Sequence, residues 1–385
     1  MKQQPRVAII TPGTYPIPDP ESTAVETVVH KLTTQLQNHI ECFVFGSKTK
    51  EHPENETVDE ITYCRFPFRN GDNYIRNCLP KLEKINPDII QVENRPKYIK
   101  ILREAFPSKE IWLFVHSTVF LNRGRISKKE LLECINCTDR IIVNSHYIKD
   151  YVVRNTNFTE EKVYVNHLGI DTNQFQSRYA KGKCEEIKQF KRDLKIENKK
   201  IVLYVGRLTP SKGVDHLLRV FPDVLRAEPN TVLFIVGSAF YGINKETEYV
   251  KKLHSLSESA ADAIQYIPYI PHDKIHQWFQ IADIIVVPSV AEPFGLVNIE
   301  AMATGATVIG TNAGGIPEII DHEKTGILIN PNQLEKDLCT ALINLLKDLS
   351  YTRSLGKNAI SKVHDVFTWE HSAKRMLQLY RNYSR

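Results

Sequence analysis

Short apolar runs alternate with longer amphipathic stretches along almost the whole chain. In the first half, apolar runs near 6–11, 41–45, 88–92, 111–115, 141–144 and 163–167 predict strands. Apolar positions at helical spacing predict helices over 25–38, 74–85, 96–106, 127–136 and 146–154. Strands apolar on both sides, separated by helices, predict a parallel sheet covered on both faces. The stretch 172–199 is polar and rich in Lys and Glu, and it includes Lys181, Gly182 and Lys183. It reads as the connection between two domains, with Gly169, Ile170 and Asp171 ending the first. A second series follows, with strands near 201–205, 231–236, 264–267, 284–287 and 307–310. Its helices are predicted over 213–227, 245–257, 272–280, 297–304, 334–346 and 350–364, and a last helix runs from about Thr368 to Tyr383. The expected fold class is α/β, as two doubly wound Rossmann-like domains facing each other across a cleft. Ligands of such sheets bind at the carboxyl ends of the strands.

Composition adjusts this picture little. A chain of 385 residues is long for one ordinary domain and suits two. With 42% hydrophobic and 25% charged residues it has the make-up of a soluble globular protein. The net charge of +5 is mild, and no nucleic-acid motif accompanies it, so no nucleic-acid partner is expected. The charge leaves room for an anionic substrate. Seven scattered cysteines fit a reducing cytoplasm better than a disulfide framework, and Cys134 and Cys137 have no second pair with which to form a zinc site. The chain passes from Met1 and Lys2 straight into the strand Val7–Ile10, so no signal peptide is expected, and no apolar run approaches the roughly 18 residues of a membrane span. The expected location is cytoplasmic.

The stretch from Glu292 to Glu300 carries the most chemistry. Glu292 follows the apolar strand 284–287 and the pair Pro288 and Ser289, and it precedes Pro293, Phe294 and Gly295. Glu300 lies eight positions on, inside the predicted helix. Free N–H groups and the helix dipole favour phosphate at such a helix start. A carboxylate further into the helix can accept from ribose hydroxyls. The combination suits a sugar attached to a nucleoside diphosphate.

This segment resembles the signature of the retaining GT-B glycosyltransferases of the family 4 type, and further segments resemble that family at matching places. After the strand 201–205 comes Gly206, Arg207, then Lys212 and Gly213; Arg207 offers a planar fork of donors and Lys212 a mobile point charge, two cations suited to a departing diphosphate. Gly314 and Gly315 follow the strand 307–310 in a tight loop beside the donor site. Gly237 stands where relatives have Gly-x-Gly, and Ile270 ends a segment that resembles the one whose backbone reads the nucleobase in the family, most commonly uracil. In the first half, His116 ends a strand at the position where the family places a histidine close to the transferred sugar. His146 and His167, also at strand ends, read as structural or cleft-lining.

The resemblance implies a mechanism. A UDP-linked sugar would sit mainly on the second domain, residues 172–367. Arg207 and Lys212 would hold the diphosphate, helped by the backbone around Phe294, Gly295, Leu296 and Val297. Glu300 would hold the ribose and Glu292 the sugar ring, with Gly237 and Ile270 lining the donor site. The first domain, residues 1–171 plus the returning terminal helix 368–385, would bring His116 to the sugar and bind the acceptor, a glycan, a lipid or a small molecule. The leaving phosphate would take the acceptor's proton, so the anomeric configuration is retained with no protein nucleophile. Neither an organic cofactor nor a metal is implied: no Asp-x-Asp triad is present.

One loop departs from the family. Thr23 and Ala24 stand where two glycines usually precede a Glu, here Glu26. This altered loop, with Val165 to Asp171, is faintly similar to spore-coat-associated members of the family. The alternative expectation is therefore a non-catalytic structural protein that still binds nucleotide-sugar. A set of basic residues in the first domain (Arg65, Arg69, Arg76, Lys81, Lys84, Arg95, Lys97, Lys100 and Arg103) would allow peripheral contact with an anionic membrane.

Overall fold

The structure is a computed structural model that describes residues 4–19, 23–239 and 247–383. Residues Pro20, Glu21 and Ser22 of the altered first loop lie outside this range, as do positions 245 and 246 at the start of the helix expected over 245–257. The chain divides into two compact units. One holds the residues through Leu168 and those from Trp369 on, and the other holds Gly169–Thr368.

The first unit is built on β1 (Arg6–Ile10), β2 (Glu41–Ser47), β3 (Asn55–Val58), β4 (Ile61–Phe66), β5 (Ile89–Glu93), β6 (Glu110–Val115), β7 (Arg140–Val143) and β8 (Val163–Val165). Their order is β3-β4-β2-β1-β5-β6-β7-β8. Val7 stands beside both Cys42 and Ile89, so the chain reverses direction of build between β1 and β5. The covering helices are α1 (Ala24–Leu36), α2 (Gly71–Ile85), α3 (Pro96–Ala105), α4 (Lys128–Asn136) and α5 (His146–Thr156). One face of the sheet, through Ala8, Ile10, Ile90, Val92, Ile111 and Leu113, buries against Ile75, Leu82, Ile99 and Leu102 of α2 and α3.

The hairpin β3–β4 is absent from the pattern reading, and β3 is antiparallel in a sheet expected to be parallel. The reason is Arg65, which interrupts the apolar run of β4. Its guanidinium is buried, donating to the carbonyls of Ile17 (3.0 Å) and Pro53 (2.9 Å) and to Glu56 (2.8 Å). A buried charge satisfied at each end of its fork is compatible with an interior strand. The same finding corrects the basic face, because Arg65 is not on it. Lys97, Lys100 and Arg103 are paired with Glu130, Glu133 and Asp139.

The second unit opens with α6 (Lys183–Asp193), inside the stretch expected to be a connection. This helix has no buried residue. It is laced by Lys183–Glu186 and Arg192–Glu185 pairs, and its half-buried side carries only two apolar residues, Ile187 and Phe190, the latter edge-on to Trp278 at 5.5 Å, so its apolar stripe is thin. The sheet strands are β9 (Lys200–Val205), β10 (Thr231–Val236), β11 (Ile264–Ile267), β12 (Ile284–Val287), β13 (Thr307–Thr311) and β14 (Gly326–Ile329). All pair in parallel, in the order β11-β10-β9-β12-β13-β14. This is a doubly wound sheet whose switch point lies between β9 and β12. Its helices are α7 (Val214–Ala227), α8 (Glu248–Ser257), α9 (Ile275–Ile281), α10 (Leu296–Thr304), the short α11 (Ile316–Ile319), α12 (Leu334–Lys347) and α13 (Leu349–Val366). The last helix, α14 (Trp369–Arg381), belongs to the first unit. It buries Trp369, Ala373, Met376 and Tyr380, while Leu377 is only half-buried. Tyr380 stacks on Trp112 of β6 at 5.5 Å between ring centroids. Among the described residues no helix is long and apolar enough to cross a membrane.

Candidate functional site

In the second unit, the loops after β9, β12 and β13 come together at the carboxyl ends of strands on either side of the switch point. Backbone contact joins them. The N–H of Val290 donates to Ser211 (3.1 Å), and the N–H of Gly315 donates to the carbonyl of Glu292 (2.8 Å). Two glycines make this closeness possible. A Cβ on Gly213 would stand 2.1 Å from the carbonyl oxygen of Pro288, and one on Gly314 would stand 2.0 Å from that of Glu292; both residues have positive φ.

The result sets Lys212 against Glu292. The ammonium lies 2.5 Å from Oε2 of Glu292, whose other neighbour is the Ser289 hydroxyl at 3.2 Å. The Glu292 side chain is only 11% exposed and that of Lys212 22%, so the pair is partly withdrawn from water but open on one side. Arg207 is exposed on the same β9 loop, held by a Tyr204 hydroxyl that donates to its carbonyl at 2.9 Å. Immediately after Glu292, α10 begins at Gly295 with no side chain capping it. The N–H groups of Leu296 and Val297 lead that helix, both residues being half-buried. A positive dipole, the Lys212 ammonium and a carboxylate thus meet at one end of the sheet, with Arg207 on the loop that carries Lys212.

The remaining residues expected on the donor side fall into two sets. Glu300 lies on α10 with its side chain 12% exposed, and its Oε1 is 3.0 Å from Nε2 of His272. Pattern reasoning missed His272. It follows Pro271 in the loop to α9, and its carbonyl accepts from Gln174 at 2.8 Å. The only sequence signal was its place two residues after Ile270, which is half-buried in the same loop. Phe294 and Gly237, by contrast, are taken up by packing. The ring of Phe294 is buried at 6.1 Å from Phe367, so it offers a ligand main chain and not side chain. The N–H of Gly237 donates to Ile267 (2.9 Å), and its backbone lies against that of Gly206.

In the first unit, His116 directly follows β6, with a side chain 7% exposed. Its Nε2 is 2.6 Å from Oε2 of Glu93, at the end of β5. The ring stacks on Phe114 at 4.2 Å, and its backbone N–H donates to Asn94 at 2.7 Å. Glu93 was also missed by pattern reading. Its signal was present: Gln91 and Glu93 are polar positions two apart in an otherwise apolar strand, and so face the same side. His146 and His167 lie beside one another, with ring centroids 5.7 Å apart.

Two family models match the chain. Residues 185–362 match the glycosyl transferases group 1, and residues 25–174 match the Glycosyltransferase Family 4. The chain is a GT-B glycosyltransferase of the family 4 type. It is 28% identical to the protein YtcC of Bacillus subtilis (strain 168), over 98% of this chain and 92% of that one. It is 27% identical to spore coat protein SA of the same organism, over 97% of this chain and 99% of that one. Among solved structures, Anabaena Alr3699/HepE in complex with UDP shares the GT-B fold, with a TM-score of 0.80 at 18% identity, covering 98% of this chain and 99% of that chain.

The described start of the loop in which this glycosyltransferase departs from the family pattern is closely held. Its start is bonded by Thr11 to Phe45 (2.9 Å), by the Tyr98 hydroxyl to Pro12 (3.0 Å) and by Arg65 to Ile17. Thr23 stands at the N-cap of α1, and its hydroxyl donates to Glu26 Oε2. Glu26 is fully buried, and its Oε1 has no partner among the described residues. Burial pushes its carboxyl above the usual carboxylate range, and the Thr23 hydroxyl opposes that shift. The threonine in the place of a glycine thus serves the buried acid three residues on.

Proposed function

We propose that this glycosyltransferase is a retaining enzyme that transfers a hexose from a UDP-linked donor to a hydroxyl of a glycan, a lipid or a small molecule. The observation that carries the reading is the meeting of Lys212 and the uncapped start of α10 beside Glu292 at the switch point, with Arg207 exposed on the loop that carries Lys212. In this reading the diphosphate lies against the two cations and the N–H groups of Leu296 and Val297, which stabilise the charge that develops as it leaves. Lys212 exchanges part of its contact with Glu292 for phosphate, and Glu292 turns to hydroxyls of the sugar ring. Glu300, oriented by His272, accepts from the ribose. HepE, which shares the fold, has been solved with UDP, and this supports the choice of nucleotide.

The acceptor hydroxyl then attacks the anomeric carbon from the face the phosphate leaves. The new C–O bond forms as the sugar–phosphate bond breaks, and the acceptor's proton passes to the departing diphosphate. Neither an organic cofactor nor a metal takes part, because the cations and the helix start supply the positive charge. The part given to His116, a contact with the transferred sugar, comes from the family resemblance. What supports it is the setting of that side chain, fixed at Nε2 and backed by Phe114.

The test mixes the protein with UDP-glucose, UDP-galactose, UDP-N-acetylglucosamine and GDP-mannose, with and without EDTA and without acceptor, and records melting temperature and release of free nucleotide. A shift with one UDP-sugar, slow hydrolysis that EDTA leaves unchanged, and its loss in Glu292→Ala are the expected results. No shift with any donor or with UDP would overturn the reading in favour of a structural role, as the name of spore coat protein SA suggests for that relative.

A further inference from the structure

A line of polar side chains crosses the interior of the first unit and ends at His116. The Tyr380 hydroxyl of α14 donates to Oε1 of Gln91 at 2.8 Å. Nε2 of Gln91 donates to Oε1 of Glu93 at 2.6 Å. Oε2 of Glu93 meets Nε2 of His116 at 2.6 Å. Tyr380, Gln91 and Glu93 are each no more than 2% exposed.

The chemistry of these groups fixes the direction of every bond. An ionised carboxylate only accepts, so Gln91 must turn its NH2 to Glu93 and its oxygen to Tyr380. By the same rule the proton on the imidazole must sit on Nε2, which leaves the Nδ1 lone pair free in the neutral ring. Nδ1 has no hydrogen-bond partner among the described residues, and the ring retains the small exposure noted above. A buried chain of hydrogen bonds of this kind rigidifies what it touches.

We infer that Glu93, Gln91 and Tyr380 are positioning residues for His116. They hold it in the Nε2–H tautomer, so that Nδ1 accepts a hydrogen bond from a substrate hydroxyl. Through Tyr380 they also make that state depend on the docking of the chain's last helix. The inference rests on the proposed contact of His116 with the sugar, but its structural half, the tautomer, stands apart from turnover.

The experiment uses full-length protein labelled with 15N-histidine, as wild type, Glu93→Gln, Tyr380→Phe and His116→Ala, the last to assign the signal. Wild type should show His116 protonated at Nε2 and bare at Nδ1, and Glu93→Gln should show a mixture of tautomers. In donor turnover, Glu93→Gln should lower kcat by roughly 100-fold with KM for the donor little changed. Tyr380→Phe should lower kcat by about 2- to 10-fold, the worth of one neutral hydrogen bond. An Nδ1–H tautomer in the wild type would overturn the inference. So would Glu93→Gln keeping both tautomer and kcat while His116→Ala abolishes turnover. If Glu93→Gln does not fold, Tyr380→Phe decides by the same two readouts. A wild type that turns over no donor defeats the proposed function alone, and the tautomer change still decides the inference.

Discussion

Lys212 already has an anionic partner before any donor arrives. Its pairing with Glu292 keeps a partly withdrawn carboxylate neutralised and fixes where the lysine stands. Glu300 has the converse arrangement, its carboxylate aimed by a more exposed histidine. Glu300→Ala and Lys212→Ala are each expected to weaken UDP binding by about 10- to 100-fold, the worth of a charge-assisted hydrogen bond, with the far-ultraviolet circular dichroism unchanged. Isothermal titration with UDP checks this, and equal affinity in both variants and wild type would refute the site assignment.

At the same scale, Glu26 predicts a pH effect on stability. Burial raises its folded value, so above the ordinary carboxylate range the folded chain retains a proton that the unfolded chain has lost. Stability therefore falls as pH rises through that window, by up to about 1.4 kcal/mol per pH unit. Glu26→Gln is neutral at every pH and removes this slope. Urea midpoints measured from pH 4 to 8 should fall more steeply in wild type than in the variant; parallel curves would rule the effect out.

Among the elements, the strand-to-helix loops show how much of the site was legible. Glu292, Glu300, Arg207 and Lys212 were readable because strands β9 and β12 are uninterrupted apolar runs, and the loop that follows each is marked by glycine and proline. What could not be read was which loops touch. Contact between the β12 and β13 loops depends on a carbonyl meeting Gly314, and no side-chain pattern encodes that. Gly314→Ala should therefore cost roughly 1–3 kcal/mol and weaken nucleotide binding as well. Gly124→Ala is the control, because a Cβ there meets nothing within 4 Å. Denaturant melts of the two variants check this, and equal stability would refute it. The polar helix α6 and the hairpin β3–β4 were illegible for other reasons. One has only Ile187 and Phe190 as half-buried apolar residues, and the other carries a buried arginine whose partners lie 9 to 48 positions away in sequence.

Over the whole molecule, the alternation of strands and helices was enough to predict two doubly wound sheets. It could not give the strand order, because register and crossover are set by which apolar faces meet. In the second unit the order places the switch point between β9 and β12, and the two most informative motifs follow those same two strands. In the first unit the order brings β5 between β1 and β6, which puts Glu93 beside the strand that carries His116. Burial and the pairing with Glu56 also take Arg65 off the basic face to which its place in the sequence would assign it.

The close seating of Gly213 on Pro288 and of Gly314 on Glu292 also bears on how such a protein changes over time or in the laboratory. The three donor-side loops share a single backbone surface, so none of them is an independent module. Transplanting the segment after β12 alone from a relative would bring in carbonyls shaped for other neighbours. A workable chimera would have to exchange the segments after β9, β12 and β13 as one block.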